Sequence, residues 1–180
     1  MPESNPSVVH LCIATDQILA NALPLRLLPW QEVIVVASDH FRLRNAARLN
    51  QFLRWAQEEA QRRSLDPVTS VRQVDLQDTG LGWGGLLAFA RSLADDMAQT
   101  HQGYAMDVNV TGGTKLMTQA FSTAFAGMAR LVYCNTQGET LEVLDASGVE
   151  PPIALPADLM TLNALLSAQG YCSYGCADNG

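Results

Sequence analysis

The strongest constraint on the fold is a regular alternation of short apolar strands with helices along residues 8–129. The stretch 32–37 (EVIVVA) is almost continuously apolar and rich in β-branched residues, which is typical of a strand buried on both faces of a parallel sheet. The stretch 41–63 repeats apolar residues with a helical period, and Ser38 and Asp39 before it are suitable N-cap residues. The alternation predicts an α/β fold that is Rossmann-like and doubly wound, with a mostly parallel sheet.

The remaining elements continue this pattern, and further strands are predicted at 8–14, 68–76, 104–110, 130–135 and 140–145. Further helices are predicted at 17–29 (short, with a loop), from the glycine-rich turn at 78–85 to Thr100, and at 114–129. The dipeptide Gln137-Gly138 lies between the last two strands. Such a tight turn predicts that these strands form a C-terminal antiparallel β-hairpin.

A proline-rich stretch predicts the boundary of the domain. Pro151, Pro152 and Pro156 are typical of a linker, and Asp158 can cap a last helix at 159–168 that Gly170 closes. We therefore expect one domain at 1–150, followed by a connector helix and tail at 151–180.

Composition narrows the classes of ligand and compartment. The 180 residues suit one domain, and their formal net charge is −7, which argues against binding of long nucleic acid. A small anion can still bind where backbone amides and one or two basic side chains meet. The chain has no apolar run near the length of a membrane span, and residues 1–7 lack the features of a signal peptide. We expect a cytoplasmic protein that does not enter the membrane.

The cysteines indicate no metal centre. Cys12 and Cys134 lie in apolar, strand-like stretches and are expected to be buried, reduced thiols. Cys172 and Cys176 have CxxxC spacing, but a metal site would need two more ligands nearby. The three histidines are scattered along the chain, so we expect neither a metal nor a cofactor.

The loop Thr111-Gly112-Gly113-Thr114-Lys115 is the strongest candidate site. It links a buried strand ending at Asn109 to a helix, and its glycines permit positive φ and close approach of a ligand. Backbone amides, the helix dipole, two hydroxyls and an ammonium group together favour phosphate. The spacing matches neither a Walker A loop nor GxGxxG. The simpler alternative is a tight strand-to-helix turn with a threonine N-cap.

Two other polar groups follow predicted strands. Thr15, Asp16 and Gln17, with Asn21, should lie at the same edge of the sheet and can hydrogen-bond a ribose or an adenine; equally, Thr15 or Asp16 caps the next helix.

Ser38, Asp39 and His40 cannot form a catalytic triad, because triad members converge from separate segments; helix capping is the expected role. Trp83 either stacks on a base or packs beside the turn at 78–85.

The stretch from Asn109 to Met117, entered from Asp107, resembles the signature of the CARF domain, the CRISPR-associated Rossmann fold. It is closest to the branch found in the Can and Card effectors. The loop 15–17 followed by Asn21 resembles that branch's loop after the first strand, and 159–174 is similar to the connector leaving the domain. The resemblance covers nearly the whole chain and implies that 1–150 is a CARF-like ligand-sensing domain.

The resemblance implies a two-fold homodimer that binds one cyclic oligoadenylate, usually the tetra-adenylate, across its interface. The ligand is a second messenger of type III CRISPR antiviral defence, and its binding allosterically controls an effector. By position, the loop 111–115 would hold phosphates and riboses, residues 15–17 with Asn21 would surround an adenosine, and Ser38 and Asp39 would reach the ligand. The expected ligand-binding residues are Thr15, Asp16, Gln17, Asn21, Ser38, Asp39, Asn109, Thr111, Gly112, Gly113, Thr114, Lys115 and Met117.

Two further functions stay open beside the non-catalytic sensor. A metal-independent ring nuclease would cleave the ligand by 2′-OH attack and leave 2′,3′-cyclic phosphate. Lys115 would then neutralise the negative charge that develops on the phosphate, and Thr15 or Thr111 would orient the nucleophile or the phosphate. Turnover would be slow, because no histidine is placed as a general base. A mononucleotide or NAD-type site is disfavoured by the missing GxGxxG.

The sequence contains no nuclease carboxylate-lysine motif and no HEPN-type Arg-x-x-x-x-His. The chain is then a piece of a larger protein, or it acts alone or with a separate effector. The connector-like helix at 159–168 favours the first alternative.

Overall fold

A computed structural model describes residues 7–63, 70–78 and 80–160. The strands are β1 (Val8–Ile13), β2 (Glu32–Ser38), β3 (Ser70–Leu76), β4 (Ala105–Asn109), β5 (Arg130–Asn135), β6 (Thr140–Asp145), β7 (Gly148–Val149) and β8 (Ile153–Ala154). The helices are α1 (Ile18–Leu27), α2 (Asp39–Arg62), α3 (Trp83–Thr100) and α4 (Lys115–Ala124).

The strands form one eight-stranded sheet with the order β3-β2-β1-β4-β5-β6-β7, and β8 also pairs with β6. The pairs from β3 to β5 are parallel. The β5–β6, β6–β7 and β6–β8 pairs are antiparallel. The predicted Rossmann-like sheet with a C-terminal hairpin is confirmed.

Helices cover both faces of the central strands. One core cluster takes Leu11, Ile13 and Ile34 together with apolar residues of α3 and α4. The opposite cluster takes Cys12 and Val33 together with residues of α1 and α2. Because both faces are covered, every residue of β1 is buried, which explains its continuously apolar sequence.

Several boundaries differ from the sequence prediction; for example, α3 begins at Trp83, inside the turn predicted at 78–85. The helix predicted at 114–129 ends at Ala124, because Gly127 takes a φ of +78° and the amides of Met128 and Ala129 turn back to the carbonyl of Phe125. The predicted proline linker contains β8, whose Ile153 and Ala154 lie opposite Leu141 and Thr140 of β6.

Some predictions fall wholly or partly outside the described residues. The predicted strand at 68–76 begins at Ser70 within the described part, and α2 starts at Asp39, before the predicted residue 41. The last helix, predicted at 159–168, lies outside the described residues from 161 onward, as do Cys172 and Cys176.

Candidate ligand-binding site

The site lies where the order of the strands reverses. From β1 the chain proceeds through β2 to β3 on one side of the sheet, and from β4 it proceeds to β5 on the other. Since β1 and β4 are parallel neighbours, the loops 14–17 and 110–114 leave the same edge and diverge. Ligands of doubly wound sheets bind in the crevice that such loops form.

The two glycines bring these loops into contact. A Cβ atom on Gly112 would lie 2.2 Å from the carbonyl oxygen of Ile13 and 3.1 Å from the methyl carbon of Thr15. Gly113 has a φ of +81°, and its Cβ would lie 2.8 Å from Cγ2 of Ile13. Glycine is therefore required at position 112 because of the close approach. At position 113 it is required because of both the close approach and the backbone conformation.

Two buried asparagines hold the loops from behind. Asn109 Nδ2 donates to the carbonyl of Ala20 at 2.8 Å and to Asn21 Oδ1 at 3.0 Å. Asn21 Nδ2 donates to the carbonyl of Ile13 at 2.9 Å. Asn109 Oδ1 accepts from the amide and the hydroxyl of Thr111, whose Oγ1 accepts from the amide of Cys134 at 2.7 Å. The network ties β1, α1, β4 and β5 together, so these side chains shape the site without facing solvent.

The start of α4 is fixed in a similar way. Thr114 is the N-cap, and its hydroxyl accepts from the amide of Met117 at 3.3 Å. Met117 is buried beneath Gly113, and Thr118 donates to the carbonyl of Gly112 at 3.1 Å. The capping alternative for Thr114 is thus correct, and it leaves the ligand-binding prediction untested.

Lys115, the first residue of α4, is exposed and is the only lysine of the chain. It makes no salt bridge with any residue of the described segments. Its ammonium group is therefore free to meet an anion, and the positive end of the α4 dipole lies beside it.

The loop after β1 presents polar groups to solvent. Gln17 is the N-cap of α1 and makes no side-chain capping bond; Asp16 and Gln17 are exposed, whereas Thr15 is half-buried. The alternative in which Thr15 or Asp16 is the N-cap of α1 is wrong, because Gln17 occupies that position. These side chains remain available to a ligand.

A cavity of about 400 Å³ opens beside this loop. Its lining consists of Asp16, Gln17, Ile18, Leu19, Ala20, Arg48 and Thr136. The loop 111–115 is not part of the lining; Gly112 of this loop contacts Thr15 instead. A second pocket of about 10 Å³ adjoins the cavity and also includes Arg48.

Arg48 and Thr136 are absent from the site residues predicted from the sequence. Thr136 follows β5, the parallel neighbour of β4, so the rule that strand ends share one edge could have found it. Arg48 lies on α2, and its Nη1 atom is 3.8 Å from Asp16 Oδ1. Only the packing of α2 against the sheet brings it there, and no local pattern marks it.

Ser38 and Asp39, at the junction of β2 and α2, mainly stabilise the start of α2. Ser38 caps this helix by accepting from the amide of Phe41 at 3.2 Å. Asp39 pairs with Arg42, which also pairs with Asp75 at 2.8 Å. The predicted capping role is confirmed for Ser38, whereas Asp39 is the first residue of the helix. The contact of both residues with a ligand stays a prediction.

Several buried groups lie elsewhere in the sheet. Cys12 and Cys134 are free and buried as predicted, and burial raises the pKa of Cys12 to about 12 and that of Cys134 to about 11. Asp107 is fully buried and forms two bonds, of 2.7 and 2.8 Å, with Arg130. These groups stabilise the strands and lie away from the cavity lining.

The described residues contain neither a candidate metal site nor a helix that could span a membrane. No group of three or more His, Cys, Asp or Glu residues there could hold a metal ion. In the same part of the chain, every helix is either too short or too polar to cross a membrane.

Several solved structures resemble this chain, whereas no protein-family model and no curated protein matches its sequence. Can2 from Sulfobacillus thermosulfidooxidans in complex with cyclic tetra-adenylate aligns with a TM-score of 0.66 and 20% identity over 89% of this chain and 40% of its own. A protein from Vibrio cholerae aligns with a TM-score of 0.67 and 13% identity over 89% of this chain and 39% of its own. A type III CRISPR defence DNA nuclease activated by cyclic oligoadenylate aligns with a TM-score of 0.66 and 16% identity over 93% of this chain and 24% of its own.

This chain thus spans less than half the length of each of these proteins. At these identities the likeness concerns the backbone arrangement. The chain has the fold of one part of Can2, of the Vibrio cholerae protein and of the type III CRISPR nuclease.

Proposed function

We propose that this chain is a CARF domain that binds a cyclic oligoadenylate, with cyclic tetra-adenylate as the expected ring, and thereby controls an effector in type III CRISPR defence. The observation that carries the proposal is the contact of Gly112 with the end of β1. It joins the loop 111–115 and the loop 15–17 into one crevice. Similarity in fold to a Can2 structure that holds cyclic tetra-adenylate supports the same ligand.

The chemistry of the crevice suits an adenylate. Gly113, Thr114 and Lys115 are exposed and offer a backbone amide, a hydroxyl and an ammonium group to a phosphate. Asp16 can accept a hydrogen bond from the exocyclic amine of adenine, and the amide of Gln17 can pair with an adenine edge in two places. The base then binds at the loop 15–17 and the phosphate at the loop 111–115.

The size of the cavity supports a dimer. A volume of about 400 Å³ is at the lower end of the range for single small-molecule sites. A ring of four adenylates is larger than one such cavity, and its identical units are related by rotational symmetry, which a two-fold dimer can match. Two copies of the chain would each hold part of the ring, and the ligand would set the angle between them, which is the proposed allosteric signal.

Calorimetric titration with cyclic tetra-adenylate should give one ring per two chains. A separate titration with the hexa-adenylate ring decides the ring size. A ratio of one ring per chain would contradict the shared interface, and absence of binding to either ring would overturn the function itself.

Chromatography of the ligand after incubation without metal separates the two candidate activities: unchanged ring favours the sensor, whereas linear products with 2′,3′-cyclic phosphate ends favour the ring nuclease.

Replacing Lys115 by alanine should weaken binding of cyclic tetra-adenylate by about 1.5–3 kcal/mol, because a charge-assisted bond to phosphate is lost. This corresponds to a dissociation constant about 10- to 150-fold higher. Lys115→Arg keeps the charge and should lose less affinity. Because the side chain is exposed, the thermal midpoint should not change.

The single lysine allows a second, independent readout. An amine-specific reagent can modify only the ammonium group of Lys115 and the chain's terminal amine. Saturating ligand should slow the modification of Lys115. Unprotected modification together with unaltered affinity of Lys115→Ala would contradict the proposed phosphate site.

A further inference from the structure

We propose that Arg48 is a second phosphate-binding cation of this site, which lies beside Asp16 in the free chain. The inference rests on the proposed function and adds a residue that neither the sequence pattern nor the loop 111–115 predicts. It assigns Arg48 to a phosphate other than the one that Lys115 contacts.

The position of Arg48 is the first argument. It lines both the cavity of about 400 Å³ and the small pocket behind it, and it is the only basic residue in either lining. Its helix is anchored at the next residue, since Leu49 is buried in the core with Phe52. The backbone of Arg48 is thus fixed while its side chain is 49% exposed.

The second argument is that the guanidinium group is weakly engaged. Nη1 of Arg48 lies 3.8 Å from Asp16 Oδ1, which is too long for a hydrogen bond. By contrast, Arg42 pairs with Asp75 at 2.8 Å, and Arg63 donates to the carbonyls of Leu28 and Arg26 at 2.9 and 2.6 Å. Within the described residues, Arg48 keeps its donors for another partner.

The third argument is electrostatic. The cavity includes the carboxylate of Asp16, which would repel a phosphate in a chain whose net charge is already −7. A guanidinium group has five donors in a planar fork, so it can keep Asp16 on one edge and take a phosphate on the other. Arg48 thereby neutralises the carboxylate and still attracts the ligand.

Arg48 lines the cavity, whereas Lys115 is the first residue of α4 and lies outside this lining. The two cations therefore belong to separate parts of the proposed site. A cyclic oligoadenylate carries successive phosphates around its ring, so the two cations can contact different phosphates. A mononucleotide could use only one of them, which makes the pair selective for the oligomer.

The test compares Arg48→Ala and Arg48→Lys with the matched control Arg44→Ala. Arg44 lies on the same helix and is exposed, but it is separated from Arg48 by the non-helical residue Asn45 and lines neither pocket. Affinity for cyclic tetra-adenylate is measured by calorimetry over a series of salt concentrations, and the thermal midpoint of each variant verifies folding.

Arg48→Ala should raise the dissociation constant about tenfold or more and reduce the slope of log affinity against log salt by about one. Arg48→Lys should keep the slope but lose part of the affinity, because an ammonium group cannot form the fork. Arg44→Ala should stay within about twofold of the wild type. The affinity for adenosine monophosphate should differ little between the wild type and Arg48→Ala.

Wild-type affinity and salt slope in Arg48→Ala would overturn the inference, and so would an equal loss in Arg44→Ala, which would indicate a general effect of charge. If Lys115→Ala loses affinity while Arg48→Ala does not, the proposed function stands and only the role of Arg48 falls. If the wild type binds no ring, both fall together.

Discussion

Gly112→Ala is expected to abolish binding of cyclic tetra-adenylate and to lower the free energy of unfolding by about 3 kcal/mol. The new methyl group would lie 2.2 Å from the carbonyl oxygen of Ile13. A backbone atom cannot move aside as a side chain can, so either the end of β1 or the loop after β4 must shift. The same carbonyl accepts from Asn21 at 2.9 Å, and this buried bond would be strained or lost.

The binding loss follows from the same shift. The loop 111–115 and the loop 15–17 form one crevice only while Gly112 lies against Ile13. Denaturant unfolding and calorimetric titration measure the two effects on the same sample. Gly84→Ala is the matched control, because a Cβ on this residue of α3 meets no atom within 4 Å. Alanine there should leave binding unchanged and stabilise the helix slightly.

Gly113→Ala should fall between these two variants. Its φ of +81° is unfavourable for alanine, but its nearest contact is a side-chain methyl carbon of Ile13 at 2.8 Å, which can adjust. If Gly112→Ala kept both its stability and its affinity, the two loops could not be packed as described, and the crevice would lose its physical basis.

The sequence was sufficient for features that depend on local pattern. Continuous apolar strands such as 32–37 predict burial on both faces, and the parallel pairing of β2 follows from it. The loop 111–115 was identifiable because two glycines after a buried strand are unusual without a close contact. Even the shared edge of Thr15 and Thr111 follows from parallel topology.

What the sequence could not predict depends on contacts between distant segments. Arg48 is one of several basic residues along α2, and it is distinguished only by its position 3.8 Å from Asp16. The strand β8 exists because Ile153 meets Leu141 of β6, although the prolines around it suggest a linker. The side chains of Asn21 and Asn109 look like ligand contacts in the sequence, whereas in the structure they bond each other inside the core.

His10 gives the second large expected effect, an acid-sensitive stability that originates inside the sheet. The side chain is fully buried on β1, opposite Asp107 of β4, and neither ring nitrogen has a hydrogen-bond partner among the described residues. Burial lowers its pKa from 6.5 to about 4; the charge of Asp107 opposes this shift and that of Arg130 adds to it. The folded chain therefore holds His10 neutral.

The direction of the pH dependence follows from this difference. Below pH 6.5 the unfolded chain binds a proton on His10 that the folded chain rejects, so unfolding becomes easier as the pH falls toward 4. The stabilisation is complete above pH 6.5 and is lost between pH 6.5 and 4. The shift corresponds to about 3 kcal/mol in total, of which about 2 kcal/mol should disappear between pH 7 and pH 5.

His10→Leu isolates this contribution from the carboxylates that also titrate in acid. The variant has no ionisable group at this position, so the difference between its free energy of unfolding and that of the wild type should change by about 2 kcal/mol between pH 7 and pH 5 in the variant's favour. His40 is exposed, and His40→Leu should leave the pH profile unchanged. If the pH profiles of the wild type and His10→Leu ran parallel from pH 7 to pH 5, the folded chain would accommodate a protonated His10 ring. That result would contradict the prediction.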